Sequence, residues 1–191
     1  MAARLIVGLG NPGSQYAGNR HNAGFMVLDR FAALANIPVT KKVFSGLGGE
    51  GYWQGDKIIL LKPQTFMNLS WRSVTEAARF HKIPPAEIIV LHDELDIPFG
   101  SLKLKEGGGH GGHNGLRSII QELGSAGFIR LRIGIDRPSY PDVSGYVLQN
   151  FSPAETKHLD DVLEGAVAAL EMVLKEGLKK GMSLFNNRKF I

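Results

Sequence analysis

The sequence predicts a single α/β domain in which helices cover a central mixed β-sheet. Short apolar runs of strand length alternate with segments whose apolar residues recur at helical spacing. This alternation of strands and helices predicts a buried, largely parallel sheet. The strand-like segments around 43–49 and 57–61 have no helix between them, so the sheet should be mixed. A length of 191 residues suits one core, and residues 1–191 are assigned to one domain.

The elements predicted for the first half rest on short apolar runs with glycine or proline at their boundaries. An apolar run over 5–7 is ended by Gly8, as in a buried strand. A loop rich in Gly, Pro and Asn follows to about residue 22, and apolar residues over 25–35 then share one helical face. The remaining predictions are strands around 43–49, 57–61 and 88–91, and a helix from 71 that stops at Pro84-Pro85.

The second half continues the alternation and ends in the best-marked helix. A short strand is expected over 101–105, a helix over 116–123, and an alternating strand over 129–135. Ser152 and Glu155 form a capping box around Pro153, which suits the first turn of the last helix. The basic tail, about 179–191, is expected to be loose.

The composition excludes reactions and sites that need cysteine, and it bears on where in the cell the protein is expected. The sequence contains no cysteine, which excludes disulfides, thiolate zinc sites and a cysteine nucleophile. It has neither an apolar run that could cross a membrane nor the pattern of a signal peptide, so a cytoplasmic protein is expected. The net charge of +4 permits a polyanionic partner such as RNA without requiring one.

The first loop allows two interpretations. Residues 8–13 match the G-x-G-x-x-G pattern of dinucleotide sites. However, further proline and glycine residues keep the chain in a loop where such a site begins a helix, and Asp29 falls inside a predicted helix. The same loop carries His21 beyond the carboxyl end of a buried strand, where α/β proteins place ligands. A helix-capping or solvent-facing histidine is the alternative.

A second loop supplies a partner for His21. The strand over 88–91 runs directly into the segment 92–96, His-Asp-Glu-Leu-Asp. An acid at the end of a buried strand is costly unless it is paired or solvated. A general-base histidine needs a carboxylate on its other ring nitrogen, and Asp93 can fill this role if the two strands are neighbours. The alternative is a set of surface charges in a turn.

The third loop, 107–112, is rich in glycine and precedes a predicted helix. Its backbone N–H groups and the helix N-terminus could bind a phosphate or an oxyanion. It is not a P-loop, because His113-Asn114 stand where Lys-Ser/Thr is required. His110 and His113 suggest a metal, but no acidic residue accompanies them, so no metal is expected. A flexible lid is the alternative.

A fourth segment, 63–70, leads from a strand into a helix. Asn68 or Ser70 suits the N-cap, and Asn68 can instead present its amide to a ligand. Neither a G-x-S-x-G elbow nor an S-x-x-K motif supplies a serine nucleophile. A hydrolase built on this chain is therefore expected to activate water directly.

Taken together, these segments resemble the bacterial-type peptidyl-tRNA hydrolases. Several long motifs in one order are more specific than any single motif, and they run from the first strand to the final helix. The matching segments are 7–13, Tyr16, 20–24, 62–70, 92–96, 107–115 and 130–135.

The resemblance implies hydrolysis of the ester that joins a peptide to the 3′ end of tRNA, which recycles tRNA from peptidyl-tRNA released prematurely from ribosomes. It implies no cofactor and no metal. It also implies a monomer with a central mixed sheet surrounded by helices, and tRNA as the partner.

The resemblance also implies roles for individual residues. His21 is similar to the family's proton acceptor, Asp93 to the acid that stabilises its basic form, and Asn11 to the residue that distinguishes N-blocked aminoacyl groups. The residues similar to those that bind the tRNA end and the peptide are Tyr16, Phe66, Asn68 and Asn114. The residues similar to those that hold tRNA phosphates are Lys103, Lys105 and Arg132.

The main alternative is an RNA-binding module. Relatives of this fold in plant organelles assist RNA splicing without hydrolysis, and they resemble this chain closely. The chain keeps His21, Asp93 and three asparagines together, a set that a pure binder does not need. An enzyme is therefore expected. A dinucleotide-binding enzyme is a distant third interpretation.

Overall fold

The computed structural model describes residues 3–186 and 188–191, in which seven strands form one sheet. The strands are β1 (Arg4–Gly8), β2 (Lys41–Val43), β3 (Gly46–Trp53), β4 (Asp56–Pro63), β5 (Ile88–Glu94), β6 (Leu102–Glu106) and β7 (Ile129–Gly134). Their spatial order is β2-β3-β4-β1-β5-β7-β6. The prediction of an α/β domain with a mixed sheet is confirmed.

Within the described residues, six α-helices surround this sheet. They are α1 (Ala23–Ala35), α2 (Ser70–His81), α3 (Asn114–Leu123), α4 (Val143–Val147), α5 (Pro153–Glu176) and α6 (Leu178–Phe185). One buried apolar cluster joins the sheet to α1, α5 and α6, and a second joins the other face to α2 and α3. None of the helices described is long and apolar enough to cross a membrane.

The sheet topology brings several loops to one edge. Strands β4, β1, β5 and β7 are parallel neighbours, whereas β2, β3 and β6 pair antiparallel. In the sheet, β4 lies on one side of β1 and β5 lies on the other, so the direction of strand addition reverses at β1. Ligands bind at such a reversal, beyond the carboxyl ends of the parallel strands. The β1 loop and the acidic end of β5 meet there.

Helix α1 begins so close to the sheet that only glycine fits. A Cβ on Gly24 would lie 2.2 Å from the carbonyl oxygen of Leu91. The N–H of Leu9 donates to that carbonyl at 3.0 Å, and the N–H of Phe25 donates to the carbonyl of Leu9 at 3.2 Å. These contacts fix the end of the β1 loop, which carries His21, against β5.

Hydrogen bonds from Arg20 connect the loop that carries His21 to the segment that contains α4. Its guanidinium donates to the backbone oxygen of Tyr146 at 3.1 Å and to the carboxylate of Glu155 at 2.8 Å. Glu155 also completes the capping box with Ser152, as predicted. The start of α5, α4 and the histidine loop therefore form one connected unit.

Two predictions about individual elements were wrong. The strand expected around 43–49 is interrupted by a turn in which Phe44 and Ser45 both have φ 54°, so it divides into β2 and β3. Neither Asn68 nor Ser70 caps α2, because Leu69 occupies the N-cap and no side chain bonds there.

The C-terminal tail is not loose over its described part. Apolar residues bury α6 against β6 and α5, and Asn186 bonds both backbone groups of Leu104. Lys189 forms a bridge with Ser101, and the N–H of Phe190 donates to the carbonyl of Gly100.

Candidate active site

The centre of the site is a buried pair formed by His21 and Asp93. Nδ1 of His21 lies 2.8 Å from Oδ2 of Asp93, and both residues are buried. His21 lies in a 3-10 turn, Arg20–Asn22, just before α1, and Asp93 is near the end of β5. The Asp93 carboxylate can only accept, so Nδ1 of His21 donates to it. The lone pair on Nε2 of His21 is then free to take a proton.

His113 occupies the second oxygen of Asp93, which the sequence did not lead us to expect. Nε2 of His113 lies 2.8 Å from Oδ1 of Asp93. Nδ1 of His113 accepts the N–H groups of Gly115 and Leu116, at 3.1 and 3.3 Å, and so caps α3. A ring nitrogen that accepts carries no proton, so Nε2 must be the donor. This network assigns His113 the Nε2–H tautomer.

The electrostatics of the pair favour an ionised Asp93 and a basic His21. Burial would raise the pKa of Asp93, but the charges and hydrogen bonds of His21 and His113 hold it well below its usual value. Burial lowers the pKa of His21, and the charge and hydrogen bond of Asp93 outweigh it, so that the pKa is raised above 6.5. These opposing effects arise because both groups sit in a poorly solvated site.

A third histidine lies next to this network but is kept neutral. His92 is buried, and its Nδ1 donates to the backbone oxygen of Asp93 at 2.8 Å. Burial, the largest influence on this ring, lowers the pKa of His92 to about 3. Its ring packs edge-on to that of His113, with the centroids 5.1 Å apart. His92 therefore supports the network without adding a charge.

The three groups His21, Asp93 and His113 are also close enough to suggest a metal site, with their ligand atoms within 4.8 Å of one another. The expectation that His113 lacks an acidic neighbour was therefore wrong. The hydrogen bonds nevertheless do not fit a metal. Ligation through Nε2 of His113 would need a lone pair there, but its only pyridine-type nitrogen is Nδ1, which caps α3. The cluster is better described as a hydrogen-bond network.

Asn11 is held so that it presents a donor to a ligand. Its Oδ1 accepts the N–H of Met67 at 2.9 Å, which leaves Nδ2 as the free end of the amide. The Asn22 side chain accepts the N–H of Asn11 at 2.8 Å and donates to its carbonyl at 3.0 Å. This reciprocal pair fixes the backbone of Asn11. Asn22 is a residue that the sequence did not single out.

These groups line two hollows. A narrow cleft of about 60 Å³ is lined by His21, Asp93 and Asn114, by the end of the glycine-rich loop (107–112), and by α4. A crevice of about 260 Å³ contains Asn11 and Asn22. None of Tyr16, Phe66 and Asn68 lines either hollow. Phe66 and Asn68 are exposed on the surface.

The basic residues form a ladder on the neighbouring strands. Lys103 of β6 is the direct cross-strand partner of Arg132 of β7, and Lys105 follows two positions later on the same face. Both lysines are exposed, whereas Arg132 is partly buried with its guanidinium 3.9 Å from the carboxylate of Glu94. Strand β7 lies next to β5, and Arg132 is the register partner of His92, the residue before Asp93.

The chain matches known sequences and structures over nearly its whole length. A sequence model of the family described as peptidyl-tRNA hydrolase matches residues 5–191. The chain belongs to the peptidyl-tRNA hydrolase family. Among curated members, the proteins from Geotalea daltonii and Geotalea uraniireducens are 62% and 64% identical, over 100% of both chains in each case. A crystal structure of peptidyl-tRNA hydrolase from Acinetobacter baumannii superposes with a TM-score of 0.94 at 40% identity, covering 99% of this chain and 97% of that one.

For this member of the peptidyl-tRNA hydrolase family, sequence reasoning missed the cap made by His113. The cap has a consequence for anion binding that sequence reasoning also missed. Two of the N–H groups expected to bind an anion at the start of α3 instead donate to the ring nitrogen of His113. A histidine directly before a helix, after a glycine-rich loop, was the available signal. From the sequence alone, His113 suggests a metal ligand and not a helix cap.

We expect Asp93→Asn to lower turnover by about two orders of magnitude, because it removes the anionic acceptor that fixes the Nδ1–H tautomer of His21 and stabilises the imidazolium formed in the reaction. Only the neutral imidazole is a base, so activity is lost as the pH falls through the raised pKa of His21. In Asp93→Asn, burial still lowers the pKa of His21 but no carboxylate charge raises it. The acidic limb of the rate profile should therefore shift to lower pH. The measurement is kcat against pH for both proteins.

A double-variant cycle checks the same pair. His21→Ala should be at least as damaging as Asp93→Asn, and the double variant little worse than either, because the two residues act as one unit. Losses that multiply in the double variant would show that Asp93 acts independently of His21. Retained tRNA affinity is the control for folding and binding.

Proposed function

We propose that this chain hydrolyses the ester between the peptide and the 3′ end of tRNA in peptidyl-tRNA, with His21 as the general base. The observation that carries the assignment of the base is the 2.8 Å contact between Nδ1 of His21 and Asp93 at the floor of a cleft. The family match supports the substrate. The proposal includes action as a monomer in the cytoplasm.

The reaction follows from the placement of His21. Nε2 takes a proton from water, and the water oxygen bonds to the ester carbonyl carbon. The tetrahedral intermediate collapses by breaking the bond to the 3′ oxygen of the ribose. The imidazolium, stabilised by Asp93, returns its proton to that oxygen. The amide of Asn114, which lines the same cleft, is a candidate donor to the developing oxyanion.

The direct test is turnover of an N-acetyl-aminoacyl-tRNA before and after exhaustive chelation. We expect hydrolysis at an unchanged rate after chelation, because the network of His21, Asp93 and His113 is satisfied by protons. Loss of activity that zinc or magnesium restores would contradict a water activated by His21 alone. Binding of tRNA without any turnover would instead favour an RNA-binding module.

Asn11 is proposed to select substrates with a blocked amino terminus. Its oxygen is already bonded to Met67, so the free Nδ2 is a donor that suits an acyl carbonyl and is mismatched to an ammonium. We expect Asn11→Asp to admit more unblocked aminoacyl-tRNA, because it replaces that donor by an anionic acceptor. The measurement is the ratio of kcat/KM for N-acetylated and free substrates. An unchanged ratio would remove Asn11 as the discriminator.

Lys103, Lys105 and Arg132 are proposed to bind tRNA phosphates. Their ladder lies on β6 and β7, beside the strand that carries Asp93. Replacing one of them by alanine should weaken tRNA binding and lower the slope of log affinity against log salt by about one unit per lost contact. A collapsed single-turnover rate with an unchanged salt slope would contradict this role. Tyr16, Phe66 and Asn68 are proposed to bind the tRNA end and the peptide.

A further inference from the structure

The glycine-rich loop (107–112) has little of its own to hold it in place. It contains five glycines and one histidine, and four of the glycines, Gly107, Gly108, Gly111 and Gly112, have positive φ. Glycine loses more conformational freedom on folding than any other residue. The loop buries no apolar side chain, so its position must depend on polar contacts from outside it.

The main external contact comes from Arg130, a residue without a role in the proposed chemistry. Arg130 is only 2% exposed and lies on β7. Its guanidinium donates to the backbone oxygen of Gly108 at 2.6 Å, to that of Gly109, and to that of Ala126 at 3.3 Å. It also lies over the ring of Phe128, 4.7 Å from the centroid. A planar fork with several donors is suited to joining separate carbonyl groups.

The charge of Arg130 makes these bonds stronger than ordinary loop contacts. Among the ion pairs found in the described residues none includes Arg130, whereas its neighbour Arg132 lies near Glu94. The two loop carbonyls and that of Ala126 therefore solvate the two terminal nitrogens of the guanidinium, whereas its Nε has no partner among the described residues. Hydrogen bonds from an ionised donor contribute more than neutral ones, and leaving such a donor unsatisfied is costly. Arg130 and the loop each stabilise the other.

The position of the loop affects the cleft directly. Gly111 and Gly112 line it together with His21 and Asn114. Within the loop, His110 accepts the N–H of Gly112 at 3.0 Å with its ring and that of His113 at 2.9 Å with its carbonyl. A shift at the Arg130 contacts would thus be passed on to the residues that begin α3.

We propose that Arg130 is a positioning residue for hydrolysis: by binding the carbonyls of Gly108 and Gly109 it holds the glycine-rich loop over the cleft and sets the placement of His113 and Asn114. The inference rests on the proposed function and extends it to a residue that does not touch the substrate. Small displacements of positioned groups, on the order of 1 Å, can cost about a hundredfold in rate.

The test compares Arg130→Met and Arg130→Lys with the unaltered enzyme. Methionine removes all three hydrogen bonds, whereas lysine keeps the charge but cannot span the three carbonyls. We expect kcat to fall between about tenfold and a hundredfold in Arg130→Met, with an intermediate loss in Arg130→Lys and little change in KM. Hydrogen exchange at the amides of Gly107, Gly112 and His113 should accelerate in both variants, while exchange in β1 and β5 stays unchanged.

Arg79→Met is the matched control, because it removes one exposed positive charge from α2 without touching the cleft. It should keep both kcat and the exchange pattern of the loop. The proposal is overturned if Arg130→Met folds and keeps kcat within twofold, or if its loop exchange is unchanged. If Arg130→Met does not fold, full activity in Arg130→Lys with unaltered loop exchange overturns it.

The exchange measurement needs no substrate, so it separates the two proposals. An enzyme that fails to hydrolyse N-acetyl-aminoacyl-tRNA would contradict the proposed function. Slow loop exchange that depends on Arg130 would still support the positioning role.

Discussion

The interaction on which the site depends is the buried carboxylate of Asp93 between two histidine N–H donors. An ionised acid without such partners would be strongly destabilised at the end of a buried strand. His21 and His113 each supply one hydrogen bond of 2.8 Å, so both oxygens are satisfied. The close approach of α1 at Gly24 and the cap on α3 are the means by which the fold brings these donors to β5.

The three histidines around Asp93 differ because their surroundings differ. His21 faces the cleft and gains a raised pKa from the charge of Asp93, which suits a base that must take up a proton. His92 is fully buried, donates a hydrogen bond to a backbone carbonyl, packs against the ring of His113 and stays neutral. Nδ1 of His113 accepts a hydrogen bond from the start of α3, and its Nε2–H donates to Asp93. One residue type thus supplies a base, a spacer and an orienting donor.

Much of the fold could be predicted from the sequence, because the strands and α1, α2, α3 and α5 carry clear apolar periodicity or caps. The pairing of His21 with Asp93 was also within reach, since both follow the predicted buried strands, over 5–7 and 88–91, and the family resemblance joins them. The cap by His113 and the anchor by Arg130 were not, because each depends on contacts between distant segments. The turn at Phe44-Ser45 lacks the glycine or asparagine that usually marks such a hairpin.

The most direct measurement of the central claim is the tautomeric state of the histidines, read by nitrogen-detected NMR of the substrate-free enzyme at a pH above the pKa of His21. The account predicts that His21 carries its proton on Nδ1 and has a bare Nε2, whereas His113 carries its proton on Nε2. A proton on Nε2 of His21, or on Nδ1 of His113, would contradict the hydrogen-bond network and the general base that depends on it.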